Sequence, residues 1–179
     1  MQAQPEVAAV LRGNGNGCRE WLAAMRETSM LIAGILSIIH PELYHLGQEA
    51  WWRRIRGVAE AGTAADVLQL VRCWSVPFTA LSVIVNRATP LHRDISGRNS
   101  WYDLMLTVGD YTNGLMRLPG LGVEMRYNPG TMVALCGKAI QHSVESCNGD
   151  RGCIAYYMRD AVMDRLGLPA GTWANRRNL

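Results

Sequence analysis

Lysine is almost missing from this chain: Lys138 is the only one, so every other cation among the 18 Lys and Arg residues is an arginine. That scarcity decides one question at once. His92-Arg93-Asp94-Ile95-Ser96-Gly97-Arg98-Asn99 fits the catalytic-loop pattern H-R-D-L-x-x-x-N of protein kinases, which also need an upstream lysine on the ATP phosphates. No lysine precedes Lys138, and no D-F-G or A-P-E follows. Asp110-Tyr111-Thr112 is a poor substitute, and 179 residues are few for two lobes. The kinase reading is excluded.

A cysteine pairing pattern is lacking too. Cys18, Cys73, Cys136, Cys147 and Cys153 are odd in number and contain no C-x-x-C pair, against both a disulfide framework and a structural zinc site. A reducing, intracellular compartment is the expectation. The first residues, Met1-Gln-Ala-Gln-Pro-Glu, lack the charged start and apolar stretch of a secretory signal. The apolar run from Met30 to Ile39 is too short to span a bilayer and reads as a buried helix, so no membrane role is expected. Gly13-Asn-Gly-Asn-Gly17 has no preceding strand and no following G-K-[ST], which makes it a loop or linker rather than a phosphate cradle.

Charge is modest, with a net of +3 and 18% charged residues, which permits an anionic partner without demanding one. Arginine in place of lysine suits two-pronged contacts to carboxylate or phosphate. Compositional drift of a genome accounts for the bias equally well. A chain of this length and 49% hydrophobic content suits one compact domain over 1–179.

Within it, Arg19 to about Arg56 has apolar residues at helical spacing, with Pro41 as a break or a new start. Thr63 or Asp66 is a candidate cap for a further helix containing Val67, Leu68 and Leu70. After Cys73 the texture turns to short β-branched and apolar runs: Thr79–Val85, Tyr102–Val108, Leu115–Leu118, Val123–Tyr127, Thr131–Leu135, Ile140–Val144 and Gly152–Met158. Turn chemistry separates them at Thr89-Pro90, Asn113-Gly114, Pro119-Gly120, Asn128-Pro129-Gly130 and Asn148-Gly149-Asp150. The expectation is an α+β fold with a double-stranded β-helix (jelly-roll) core over 76–160. Helical support over 1–75 packs on one sheet, and 161–179 is a C-terminal extension.

His92 and Asp94 form an H-x-D, which on extended backbone projects both side chains to one face. His142 follows far along the chain, and Arg151 leads the last apolar run. Two imidazoles and a carboxylate on three faces of an octahedral ion are the facial triad of non-haem Fe(II) oxygenases. Such a triad leaves positions for a chelating co-substrate and O2. Arg151 is the candidate fork for the distal carboxylate of 2-oxoglutarate, held by two parallel hydrogen bonds. Each residue also has a bland account. His92 and Asp94 fit a surface loop pair, His142 a satisfied core histidine and Arg151 a solvated turn residue. It is their combination in this order that favours the iron site.

His92-Arg93-Asp94, Trp101-Tyr-Asp-Leu, Met116-Arg-Leu-Pro119, Tyr127-Asn-Pro-Gly130, Gly137 to His142 and Gly149-Asp-Arg151…Tyr156-Tyr-Met-Arg-Asp160 resemble the fungal branch of the TET/JBP oxygenases, mainly over the second half of the chain. The resemblance implies Fe(II) and 2-oxoglutarate as cofactors, with iron on His92, Asp94 and His142 and the co-substrate on Arg151. Arg159 is a less favoured anchor, eight residues later. The implied reaction oxidises 5-methylcytosine in DNA to 5-hydroxymethylcytosine and more oxidised forms, with DNA carrying methylated bases and O2 as partners. Nuclear residence follows from that substrate alone. The same chemistry on N6-methyladenine, methylated RNA or a protein side chain is the alternative. From another class comes a catalytically silent nucleic-acid-binding domain, against which the intact ligand set argues. Asn99, Arg98 and Trp101 are expected near the substrate. Trp51-Trp52-Arg53-Arg54-Ile55-Arg56 and Arg176-Arg177 are candidate phosphate contacts, and the first also reads as a helix with core tryptophans and a solvated basic face.

Overall fold

A computed structural model describes residues 17–60 and 72–168, which fall into two compact units. The first, within 1–77 and 162–168, is helical. Helices α1 (Gly17–Ala24), α2 (Arg26–Ile39) and α3 (Pro41–Glu60) follow one another. Pro41 opens α3, where its missing N–H costs nothing because the first helical amides have no partner within the helix. Helix α2 buries one stripe, with Ile32 and Leu36 fully enclosed. It is not buried all round, as its apolar run suggests, because Met30, Leu31, Ile38 and Ile39 are exposed. The Trp51–Arg56 stretch lies on α3, and Trp52 is an exposed rather than a core tryptophan. Its neighbour Arg53 bonds the Glu49 carboxylate at 2.8 Å and the carbonyls of Leu166 and Gly167 at 2.7 and 3.2 Å. Arg54 is half-buried, and burial lowers its pKa. The proposed cap at Thr63 or Asp66, the Gly13–Asn16 segment and Arg176-Arg177 lie outside the described residues.

Among the described residues the second unit carries eight strands: β1 (Ala80–Val85), β2 (Thr89–His92), β3 (Asp103–Thr112), β4 (Leu115–Leu118), β5 (Val123–Arg126), β6 (Met132–Leu135), β7 (His142–Val144) and β8 (Asn148–Tyr157). They form two four-stranded sheets, β1-β8-β3-β6 and β2-β7-β4-β5, with every pair antiparallel. The chain passes repeatedly from one sheet to the other, and that winding is the expected jelly-roll of an α+β protein. Met116, Leu118, Tyr127, Leu135 and Val144 are buried together, with Met105, Met125, Val133 and Ile140 packed against them. These residues come from both sheets and from the loop after β5. Each large apolar side chain enclosed this way contributes roughly 1.5–3 kcal/mol.

Two turns follow their sequence signals. Asn113 takes the left-handed conformation at φ 59° between β3 and β4. Pro119–Leu121 makes one tight helical turn ending on Gly122 at φ 64°. Two other expectations need correcting. Asn148-Gly149-Asp150 is not a turn but the start of β8, paired with Thr112, Tyr111 and Asp110 of β3. Arg151 therefore lies within the final strand and does not open it. Thr89-Pro90, expected as a turn, instead opens a strand of its own, β2, which His92 closes. That strand contains Pro90, which donates no ladder bond, and its register with β7 shifts between Thr89 and His92. Among the described residues no helix is long and apolar enough to cross a membrane. Cys73, Cys136, Cys147 and Cys153 are free thiols.

Candidate metal centre and co-substrate pocket

His92 and His142 are register partners on β2 and β7, so their imidazoles emerge side by side with ring centroids 4.3 Å apart. Each ring is oriented by its own chain. Nδ1 of His92 lies 2.9 Å from the Pro90 carbonyl, and Nδ1 of His142 lies 3.1 Å from the Ile140 carbonyl. A carbonyl only accepts, so each Nδ1 carries a proton, and in the neutral ring that leaves Nε2 as the nitrogen with the lone pair, the tautomer a metal requires.

Asp94 stands opposite both nitrogens. Its Oδ1 is 3.4 Å from His92 Nε2 and its Oδ2 is 3.8 Å from His142 Nε2. The three residues offer ligand atoms within 4.8 Å of one another. The loop carrying Asp94 is clamped by the segment before β7. Its N–H donates to the Gly137 carbonyl at 2.9 Å, Arg93 Nε donates to the Ala139 carbonyl at 3.2 Å and Lys138 Nζ to the Ile95 carbonyl at 2.6 Å. Those donor types, their closeness and the fixed tautomers fit an octahedral divalent iron with open positions.

A second carboxyl, Asp103 at the head of β3, adjoins Asp94. Burial pushes its pKa up to about 8, the Asp94 charge pushes the same way, and a hydrogen bond involving the Gly137 backbone opposes them. The two carboxyls share a hydrogen bond, the usual outcome when one site cannot hold two adjacent negative charges.

A cavity of about 290 Å³ opens from this group between the sheets, toward the small end of small-molecule sites. Alternate residues of β8 face it: Arg151, Cys153, Ala155 and Tyr157, followed by Arg159. Arg151 is only 3% exposed. Its Nη1 donates to the Glu145 carbonyl at 3.3 Å and its Nη2 to the Arg87 carbonyl, while the buried Nε has no partner. An orphaned, buried guanidinium N–H in a cavity is costly unless a ligand oxygen accepts it, so the chemistry fits a carboxylate. Nη1 and Nη2 each spend one of their two N–H groups on a main-chain carbonyl, which leaves Nε and the remaining N–H groups as donors for a two-pronged contact.

Near Arg151, the buried Tyr127 hydroxyl sits 3.5 Å from Cys153 Sγ. Burial raises the pKa of both groups, which keeps them neutral. At the other end, Tyr157 Oη lies 3.0 Å from Ser82 Oγ and accepts from Arg159 Nη2 at 3.2 Å, and the Arg159 guanidinium lies 5.4 Å from the Tyr157 ring centroid.

His92, Asp94, His142 and Arg151 thus line one cavity. Arg98, Asn99 and Trp101 do not line it. Trp101 is buried, and the Arg98 guanidinium lies over its ring at 4.9 Å. Sequence reasoning missed Arg87, Asp103 and Tyr157, and weighed Arg159 only as an anchor. For Asp103 and Tyr157 the usable signal was strand alternation, which puts Asp103 level with Met105 and Tyr157 level with Arg151.

No curated protein matches the chain. A family model, Tet_JBP, described as the oxygenase domain of the 2OGFeDO superfamily, matches residues 6–160, so the likeness extends through the helical part as well as the strands. Enzymes of that superfamily use Fe(II) and 2-oxoglutarate and take O2 as co-substrate. The chain belongs to the Tet_JBP family of 2-oxoglutarate- and Fe(II)-dependent dioxygenases.

Proposed function

We propose that His92, Asp94 and His142 hold the Fe(II), that Arg151 holds the distal carboxylate of 2-oxoglutarate, and that the chain oxidises the methyl of 5-methylcytosine in DNA to 5-hydroxymethylcytosine and further oxidised forms. The observation that carries this reading is the convergence of two Nε2 lone pairs and one carboxylate beside a cavity containing an orphaned guanidinium N–H. When bound, Fe(II) and 2-oxoglutarate supply oxidation of a C–H bond by O2, coupled to decarboxylation of 2-oxoglutarate to succinate and CO2.

The protein's own work is orientation and exclusion of water. The carbonyls of Pro90 and Ile140 fix the imidazoles, and Gly137 to Ala139 hold the Asp94 loop. The motifs resembling the fungal TET/JBP branch support the choice of a methylated base. Tyr157 and Arg159 support it too, because a ring and a guanidinium at the cavity wall match the stacking face and hydrogen-bonding edge of a nucleobase turned out of the helix. A nuclear location follows if genomic DNA is the substrate.

The test is direct. Purified protein is incubated with Fe(II), 2-oxoglutarate and O2, with DNA carrying 5-methylcytosine or N6-methyladenine in parallel. Succinate and the nucleosides are then measured by mass spectrometry. Oxidised cytosine is the expected product. Oxidised adenine alone would move the substrate assignment, and succinate from neither DNA would end it.

A further inference from the structure

We infer that Asn86 is a positioning residue for the Arg151 guanidinium, an inference that rests on Arg151 being the 2-oxoglutarate anchor. The ladder between β1 and β8 ends at Val85 opposite Gly152. Arg151 is one step beyond, where the next main-chain partner would be residue 86. Asn86 leaves the strand there, turning into the left-handed region at φ 49°. Its N–H still donates to the Arg151 carbonyl at 2.9 Å. Its main-chain carbonyl is replaced in the pairing by the side chain, because Oδ1 accepts from the Arg151 N–H at 2.7 Å. The same amide's Nδ2 donates to Asp150 Oδ1 at 2.9 Å, which fixes which end of the amide faces Arg151.

Asparagine is suited to this place for two separate reasons. It tolerates the left-handed conformation better than most residues, and it presents an acceptor and a donor on one short side chain. The turn has a consequence one residue later. It aims the Arg87 carbonyl at Arg151 Nη2, and Arg87 is among the residues that line the cavity. Asn86 therefore holds the backbone of Arg151 and directs the following carbonyl onto its guanidinium.

The test separates backbone conformation from side-chain bonding. Asn86→Gly keeps φ accessible but removes both amide bonds. Asn86→Asp keeps the acceptor but sets a carboxylate against Asp150. Asn86→Asp with Asp150→Asn restores the side-chain pair with its polarity reversed. The full chain loaded with Mn(II) is titrated calorimetrically with 2-oxoglutarate, thermal denaturation is recorded without it, and KM and kcat are measured on the Fe(II) form. Loss of hydrogen bonds that hold the anchor is expected to weaken 2-oxoglutarate binding about tenfold in Asn86→Gly, with KM moving more than kcat. The single Asp variant is expected to be weakened and the double variant to recover. If Asn86→Gly does not fold, the Asp pair carries the test. Wild-type binding with an unchanged Kd in the foldable variants, whatever happens to Tm, overturns the role of Asn86 alone. Failure of the wild type to bind 2-oxoglutarate overturns the anchor reading and this inference with it.

Discussion

Gly137 and Asp94 fit each other so closely that a Cβ on Gly137 would overlap the Asp94 Oδ2 atom and crowd Asp103. The Gly137 carbonyl meanwhile accepts the Asp94 N–H at 2.9 Å. The glycine is required by this close approach and not by its backbone conformation, since its φ lies outside the left-handed region. Gly137→Ala is thus expected to push Asp94 out of line with the two imidazoles. Overpacking of this kind costs about 1–3 kcal/mol, so metal affinity is expected to fall by roughly ten- to hundredfold. Titration with Mn(II) or Fe(II) measures it, and unchanged affinity would show that Asp94 has room to move.

Removing a metal ligand is a harsher change than shifting one. His142→Ala and Asp94→Ala are each expected to abolish succinate and oxidised base together, with the far-ultraviolet circular dichroism of the wild type retained. Persistent turnover in either variant would remove that residue from the iron site.

The planar donor set of Arg151 makes a sharper prediction than its charge does. Arg151→Lys keeps a cation but replaces the planar donor set by a point charge, and it strips the donors that occupy the Glu145 and Arg87 carbonyls. KM for 2-oxoglutarate is expected to rise by about tenfold or more, the loss of one or two charge-assisted hydrogen bonds. Steady-state kinetics with varied 2-oxoglutarate checks this. A co-substrate dependence identical to wild type would place the carboxylate elsewhere.

The stability of the barrel end can be tested away from the chemistry. Tyr111 Oη donates to the Tyr127 carbonyl at 2.5 Å and is bonded to Thr107 Oγ1, and all three residues are buried. Tyr111→Phe leaves both partners without that hydroxyl, a cost of about 1–3 kcal/mol. Urea denaturation is expected to show the midpoint shifted down with an unchanged slope.

Much of this is legible in the sequence. Asn113-Gly114, Pro119-Gly120 and Asn128-Pro129-Gly130 punctuate the strands where the structure breaks them, because glycine, proline and asparagine act through their own backbone preferences. The runs of β1, β4 and β5 were located within a residue or so. Strand β2 was invisible, since Thr89-Pro90-Leu91-His92 carries a turn signal and forms a strand only because β7 pairs with it. Asn148-Gly149-Asp150 misled for the same reason. Three turn-forming residues are held extended by β3, with Gly149 at φ 110° lying close against the Asp110 carbonyl.

The sequence by itself determined the succession from helices to strands, the α+β class and the candidate set of His92, Asp94, His142 and Arg151 that lines one cavity, all of which depend on local preference and residue chemistry. Tertiary structure alone decided that His92 faces His142, that Asp103 stands beside Asp94, and that two main-chain carbonyls occupy Arg151 Nη1 and Nη2. Those facts are set by strand register, and register is decided by hydrogen bonds between segments far apart in the chain, which no local pattern specifies.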